Sequence, residues 1–241
     1  MTGAPAKCWI CGDAATTGEH KTKRSDLRAV FGNPTQGEPL YYHDGSAKNR
    51  RVGSLDARIL KSPSRICQNC NNARTQPHDR AWEKLSNALR TRRPPVVPGA
   101  NVRANKIFCC DTAREMRNVH LYFVKLFGCH IASSNINIDI KGFSQAILSE
   151  RAHPNVYLKF GIDRAGRTGS SDVWTSVPSS DGSISFATWY YWIDRLGVNV
   201  MFAKEGQKRL GLLQAWHPRS GSNKLAIADF QFEEAPSDAR L

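Results

Sequence analysis

Four cysteines in two CxxC pairs constrain this 241-residue chain more than any other feature: Cys8 with Cys11, and Cys67 with Cys70. A structural zinc site takes four thiolates in a tetrahedron at about 2.3 Å, and two CxxC knuckles can supply them from distant segments. Closing the long intervening loop costs entropy, which zinc binding, worth roughly 10–16 kcal/mol in small finger peptides, can offset. We therefore predict a structural Zn²⁺. Because such a site is closed, any chemistry must come from other residues.

The net charge of the chain points to an anionic partner. Lys and Arg outnumber Asp and Glu by 34 to 21, which gives a net charge of +13. Residues 1–98 carry 17 basic and 8 acidic side chains, whereas residues 99–241 carry 17 and 13. The positive field is therefore concentrated around the cysteine pairs. Such a field attracts polyanions, and phosphate contacts supply most non-specific affinity for nucleic acids.

Cysteine usage and hydropathy indicate the compartment. The seven cysteines are an odd number, and Cys109, Cys110 and Cys129 lie outside the pairs, so a secreted disulfide framework fits poorly. The sequence has no run of 18 apolar residues and no signal-peptide pattern at its start. We expect a soluble, cytoplasmic protein with reduced thiols and no membrane partner.

A proline-rich segment suggests two domains of α+β class. Prolines at 94, 95 and 98 cannot continue a helix, so we predict a linker over 94–103 between domains 1–93 and 104–241. Apolar periodicity predicts helices over 25–31, 79–90, 112–127 and 143–148, and a hairpin that joins 40–42 to 51–53 through a turn at Gly45. Five β-rich runs predict an antiparallel sheet in the second half: 156–160, 172–177, 184–193, 198–202 and 225–232. Residues 233–241 are expected to fray.

The role of the second half stays open. Its aromatic residues, among them the run Trp189-Tyr190-Tyr191-Trp192, are typical of sheet cores and cross-strand pairs. In a strand, two of these four rings point to each face, so one face could present aromatics. Substrate binding, docking of a protein partner and homo-oligomerisation are all compatible with that pattern.

Three short motifs together resemble a known family. They are Cys8-Trp9-Ile10-Cys11-Gly12, then Gly18-Glu19-His20-Lys21, then Cys67-Gln68-Asn69-Cys70-Asn71-Asn72. This pattern over about residues 8–90 is similar to that of zinc-containing HNH endonucleases. The resemblance implies an N-terminal ββα-metal domain held by the zinc, followed here by an α+β domain outside the family.

The resemblance also implies a division of roles. His20 would be the general base that activates water, and an imidazole is a competent proton acceptor at neutral pH. Glu19 and Asn71 would bind a catalytic Mg²⁺ or Mn²⁺ through hard oxygen ligands. Asn71 could equally cap a helix, with Asn72 as its replacement. Adjacent strand residues point to opposite faces, so Glu19 and His20 share a site only if the strand bends, as Gly18 would permit.

The chain departs from the family pattern at two positions. Ser62 stands where a middle Asn is common, and it could hold the imidazole by a hydrogen bond. No second His lies one turn beyond Asn71. His78 is a secondary candidate that could approach the metal only through a break at Pro77, because seven helical residues span roughly 10 Å.

Basic residues near these motifs predict contacts with nucleic-acid phosphates. They are Lys21, Lys23, Arg24, Arg50, Arg51, Arg65, Arg74 and Arg80. We expect a metal-dependent endonuclease that acts on nucleic acid, with DNA preferred by family habit. The alternatives are a zinc-stabilised nucleic-acid-binding module with a degenerate, non-cleaving site and, less favoured, a protein-interaction adaptor.

Overall fold

The computed structural model describes residues 6–44, 48–134, 136–206 and 212–231. Gly45, the predicted hairpin turn, and the terminal segment 233–241 lie outside these ranges. The described residues form an α+β structure with four α-helices, which confirms the predicted class. The helices are α1 (Arg24–Phe31), α2 (Gln76–Thr91), α3 (Thr112–Ser134) and α4 (Ile140–Leu148). No helix within these ranges is long and apolar enough to cross a bilayer.

The N-terminal half is built from two small antiparallel pairs of strands. The pair β1 (Thr17–His20) and β4 (Lys61–Ile66) is followed directly by the second cysteine knuckle and α2. Between them in sequence, β2 (Leu40–Tyr42) pairs with β3 (Arg50–Val52), as the hairpin prediction required. A single turn of π-helix, Cys70–Arg74, precedes α2.

The C-terminal half contains one seven-stranded sheet. Its strands are β5 (Asn101–Arg103), β6 (Val156–Asp163), β7 (Gly169–Ser170), β8 (Trp174–Thr175), β9 (Phe186–Ile193), β10 (Leu196–Ala203) and β11 (Lys224–Phe230). The order is β5-β11-β6-β10-β9-β7, and β8 also pairs with β9. The sheet is mostly antiparallel, as predicted, and departs from the prediction at one place, where β11 lies parallel to β6. Segment 172–177 forms only the two residues of β8.

Helix α3 is the central element of the core. Every residue from 118 to 129 on it is buried, since it packs against α2 and β4 as well as α4 and β6. Trp82 of α2 meets Phe123 edge to face at a ring-centroid distance of 4.8 Å. One continuous hydrophobic cluster includes Cys8 and Trp82 on one side of segment 94–103 and Phe123 and Val200 on the other. The division into domains at this segment stays a prediction, and the flanking parts share a core.

A buried carboxylate ties the N-terminal helix to the sheet. Asp26 of α1 accepts hydrogen bonds from Trp82 Nε1 at 2.7 Å and from the Tyr191 hydroxyl of β9 at 2.6 Å. Burial raises the pKa of Asp26, and both hydrogen bonds act in the opposite direction. These contacts fix the position of α1, and therefore of the loop that follows His20, against the rest of the protein.

Candidate active site and metal centre

The two cysteine pairs converge. The sulfur atoms of Cys8, Cys11, Cys67 and Cys70 all lie within 4.8 Å of one another, and Cys11 Sγ is 3.5 Å from Cys67 Sγ. A tetrahedron with metal–sulfur bonds of 2.3 Å has sulfur–sulfur edges of about 3.8 Å, so the donor set fits zinc. The separation is far from the about 2.05 Å of a disulfide. The tetrad can therefore hold a structural metal such as zinc.

The surroundings of the tetrad suit a metal bound by thiolates. The Cys70 backbone N–H and the Arg74 guanidinium donate to sulfur, the latter to Cys70 Sγ at 2.9 Å. Burial raises the pKa of Cys11 to about 11 and also raises that of Cys70. For Cys67, hydrogen bonds from Cys70 and Cys11 outweigh burial and lower the pKa. Since no cation but Arg74 is bonded to these sulfurs among the described residues, the deprotonated set needs a bound ion for balance.

A bulge brings Glu19 and His20 to the same side of the protein. The register of β1 against β4 shifts between Gly18 and His20, so the strict alternation of side chains is broken there. Glu19, His20 and Asn71 all line one groove of about 280 Å³. The bend that the sequence required at Gly18 is therefore present in the strand.

The imidazole of His20 is held by the backbone. Its Nε2 lies 2.9 Å from the carbonyl oxygen of Leu55. Because a carbonyl only accepts, Nε2 carries the proton and Nδ1 is the acceptor of the neutral ring. Burial lowers the pKa of His20, while the Leu55 carbonyl acts against that shift. Ser62 does not hold the ring: its Oγ accepts from the Ser64 backbone N–H, and Ser62 lines a different cavity.

Asn71 sits at the start of the helical segment and points its amide at β1. Its Nδ2 donates to Thr17 Oγ1 at 3.1 Å, so Oδ1 is not used in that bond. Asn72 is exposed and does not line the groove. His78 lies in the interior and is likewise absent from the groove wall. Burial lowers its pKa to about 4, so it is a neutral packed ring.

A lysine that the sequence reasoning missed lies beside the groove. Lys125 of α3 is fully buried, and its Nζ lies 3.1 Å from Glu19 Oε2 and 3.0 Å from Asp79 Oδ1. Thr75 Oγ1 is a further partner at 3.2 Å. Burial alone would lower the pKa of Lys125, but the two carboxylates raise it, so the side chain is charged. Burial raises the pKa of Glu19, against the pull of Lys125.

A signal for Lys125 existed in the sequence. It is the one charge in the run Leu121-Tyr122-Phe123-Val124-Lys125-Leu126-Phe127, and a lysine on a buried helix requires a partner. The sequence does not say which carboxylates supply it. The Leu55 carbonyl carried no signal at all, since every residue has one.

The basic residues predicted to bind phosphates are divided over several surfaces. Lys23 and Arg24 line the groove together with Arg28. Some of these charges already have partners: Lys23 lies 3.9 Å from Asp79, and Arg24 is 3.0 Å from Asp56. The remaining predicted residues lie elsewhere: Lys21 at a second cavity, Arg74 on the tetrad, and Arg50, Arg51, Arg65 and Arg80 exposed on the surface.

Comparisons of this chain with protein-family models, with curated proteins and with solved structures found no match.

Proposed function

We propose that this chain is a metal-dependent endonuclease of the HNH type that hydrolyses phosphodiester bonds in nucleic acid, with DNA as the expected polymer. The observation that supports it is the single groove lined by Glu19, His20 and Asn71. A bulged strand supplies the first two residues, and the helical segment beside the cysteine tetrad supplies the third. These are the three residues to which the family resemblance assigns chemistry.

His20 is the general base in this proposal. With Nε2–H donated to the Leu55 carbonyl, Nδ1 takes the proton of a water molecule that attacks the phosphorus atom. The lowered pKa keeps the ring neutral, and therefore able to accept a proton, at neutral pH. The backbone contact also fixes the ring orientation, the task that sequence reasoning gave to Ser62.

The groove offers hard oxygen ligands for a divalent cation. Glu19 and Asn71 would bind Mg²⁺ or Mn²⁺, and Asp79 lines the same groove. When bound, such an ion supplies stabilisation of the charge that develops on the phosphate and on the departing 3′ oxygen. The amide of Asn71 is oriented for this by its Nδ2 contact to Thr17, which leaves the oxygen as the ligand atom.

One observation favours a second candidate, a nucleic-acid-binding module that does not cleave. The Lys125 ammonium lies between Glu19 and Asp79, in contact with both carboxylates. Lys125 therefore already neutralises Glu19, the carboxylate that a catalytic cation would need as a ligand. In this alternative the groove holds a phosphate chain without activating water, and zinc serves only the fold.

A cleavage assay on supercoiled plasmid, single-stranded DNA and RNA separates the two candidates. The wild type is incubated with Mg²⁺ or Mn²⁺ beside His20→Ala, and binding of each substrate is measured in parallel. The endonuclease predicts cleavage by the wild type and a loss of at least about a hundredfold in His20→Ala, with binding retained. The zinc content of both proteins must be equal. This control distinguishes loss of the general base His20 from loss of the fold.

Binding that weakens with salt but never leads to cleavage supports the module. Cleavage that persists undiminished in His20→Ala removes the assignment of the base.

A further inference from the structure

A second, larger cavity adjoins the proposed active-site groove through neighbouring residues. It measures about 830 Å³, within the range of natural ligand sites. His20 lines the groove, whereas Lys21, the next residue, lines the cavity. Ser62 of the paired strand β4 also belongs to the cavity wall. The groove and the cavity are therefore lined by consecutive residues of the chain, 20 and 21.

The walls of the cavity are aromatic and rich in hydroxyl groups. The hairpin contributes Tyr41 and Tyr42. The sheet contributes Trp192, whose buried ring already stacks on Tyr190 and lies under Arg167, so the tyrosines are the rings that a ligand can reach. Hydroxyl groups are supplied by Thr22, Ser62, Ser133, Ser134, Thr168, Ser170 and Ser171. Aromatic faces with polar groups at their edges suit a flat heterocycle that stacks and forms hydrogen bonds.

The charges of the cavity distinguish it from a phosphate site. Lys21 and Arg167 are its cations, but Arg167 is already paired with Asp163 at 3.0 Å, and Asp44 and Asp172 also line the cavity. Lys21 Nζ donates to the Tyr42 hydroxyl at 3.0 Å and lies 5.3 Å from the ring centroid, so it is directed along the aromatic wall. A near-neutral cavity favours a nucleobase over a phosphate. The groove beside it, with Lys23, Arg24 and Arg28, would take the phosphate.

We infer that this cavity binds an unpaired nucleobase, so that the preferred substrate is single-stranded or carries a base rotated out of the duplex. The inference rests on the proposed function. A base held in a duplex is stacked and paired on all sides, and it can enter a cavity of this kind only after it leaves the helix. Tyr41, which is 56% exposed, is the stacking residue most open to an incoming base.

The test measures binding without cleavage, so that it is independent of catalysis. A fluorescently labelled ten-nucleotide thymidylate strand is titrated without added divalent cation or chelator, and fluorescence anisotropy is recorded. The same strand annealed to its complement and a uridylate strand are the other two probes. We expect the single strands to bind about tenfold more tightly than the duplex. The tighter of the thymidylate and uridylate strands identifies DNA or RNA as the preferred polymer.

Two matched variants locate the site. Tyr41→Ala is expected to weaken single-strand binding about tenfold, whereas Trp174→Ala is expected to leave it within about twofold. Trp174 is a fair control because it is 55% exposed, close to the 56% of Tyr41, and does not line the cavity. Ser134→Trp, at an exposed helix end on the cavity wall, should block binding by filling the space.

Equal losses in Tyr41→Ala and Trp174→Ala, a duplex bound as tightly as the single strand, or no single-strand binding at all would each overturn the inference. Plasmid cleavage that depends on His20 alongside any of these results would leave the proposed function standing. Single-strand binding that depends on Tyr41 in a protein that never cleaves would support the cavity alone.

Discussion

The cysteine tetrad and the Glu19–Asp79 pair both gather acidic groups in the N-terminal half, but they differ in where the compensating positive charge comes from. At the tetrad, Arg74 is the cation bonded to sulfur among the described residues, and four thiolates require an ion from solution. At the carboxylate pair, the chain supplies Lys125 itself. We therefore expect folding to depend on a bound metal at the first site. At the second, Lys125 already supplies part of the charge that a divalent cation would bring, and this is why the same groove supports both an enzyme and a binding module as candidates.

The largest effect is expected at the site that depends on the external ion. Cys67→Ser removes one thiolate from the tetrad, and we expect loss of bound zinc together with destabilisation by more than about 5 kcal/mol. Elemental analysis and far-UV circular dichroism measure the two losses. Cys110→Ser, a change at an exposed cysteine outside the tetrad, should alter neither. An unchanged melting temperature in zinc-free Cys67→Ser would show that the tetrad does not stabilise the fold.

A smaller loss of stability is expected at the carboxylate pair, where the compensating cation is the side chain of Lys125. Lys125→Met leaves Glu19 and Asp79 without the cation between them, and breaking a buried pair in this way costs about 3–5 kcal/mol. Urea denaturation at pH 7 measures the loss, and zinc content should stay at the wild-type level. That combination, instability with the metal retained, is what separates this site from the tetrad.

The double variant Glu19→Gln/Lys125→Met supplies the control for that comparison. Glu19→Gln takes away the more deeply buried of the two carboxylates, and the remaining Asp79 still has Lys23 at 3.9 Å, so the double variant should be more stable than Lys125→Met alone. Strict additivity of the two single effects would show that Glu19 and Lys125 do not interact energetically.

The same contrast explains how much could be predicted from the sequence. The tetrad was predictable because metal ligands come in short motifs whose spacing is set by coordination geometry. The four helices were predictable because their apolar residues recur with the helical period. The parallel pairing of β11 with β6 could not be predicted, because the sequence of a strand does not identify the strand with which it pairs. Lys125 could be recognised as a buried lysine that needs a partner. Its contact with Glu19 and that of Leu55 with His20 could not be predicted, because tertiary contacts of this kind leave no local pattern.

Asp26 extends the comparison to a carboxylate held by neutral donors. Tyr191→Phe removes the 2.6 Å hydrogen bond to Asp26, together with the acceptor of the Lys23 backbone N–H at 3.0 Å, and should destabilise the protein by about 1–3 kcal/mol, measured by urea denaturation. Tyr122→Phe is the matched control, because its hydroxyl contacts the Tyr191 hydroxyl at 3.4 Å and not the carboxylate. Equal effects of the two changes would assign the loss to packing rather than to Asp26.

Buried histidines in the C-terminal half need no compensating charge because their rings are neutral. Their effect on the free energy of unfolding is the smallest that we predict. His120 donates from Nε2 to the Val156 carbonyl, and its ring lies 5.3 Å from that of His217. Burial, with His217 next in importance, lowers the pKa of His120 to about 3. Below the unfolded-state pKa of about 6.5, His120 is protonated in the unfolded chain but stays neutral in the folded protein. Stability therefore falls as the pH falls.

The His120 contribution is fully present above pH about 6.5 and decreases by up to about 1.4 kcal/mol per pH unit toward the folded-state pKa. His120→Gln should therefore show a shallower decline than the wild type when both are unfolded by urea between pH 6.5 and 5. Any effect of acid on the cysteine tetrad is the same in both proteins and cancels in the difference. Identical slopes would mean that His120 has the same pKa in the folded and the unfolded chain, and the C-terminal half would then take up a buried charge of its own as the pH falls.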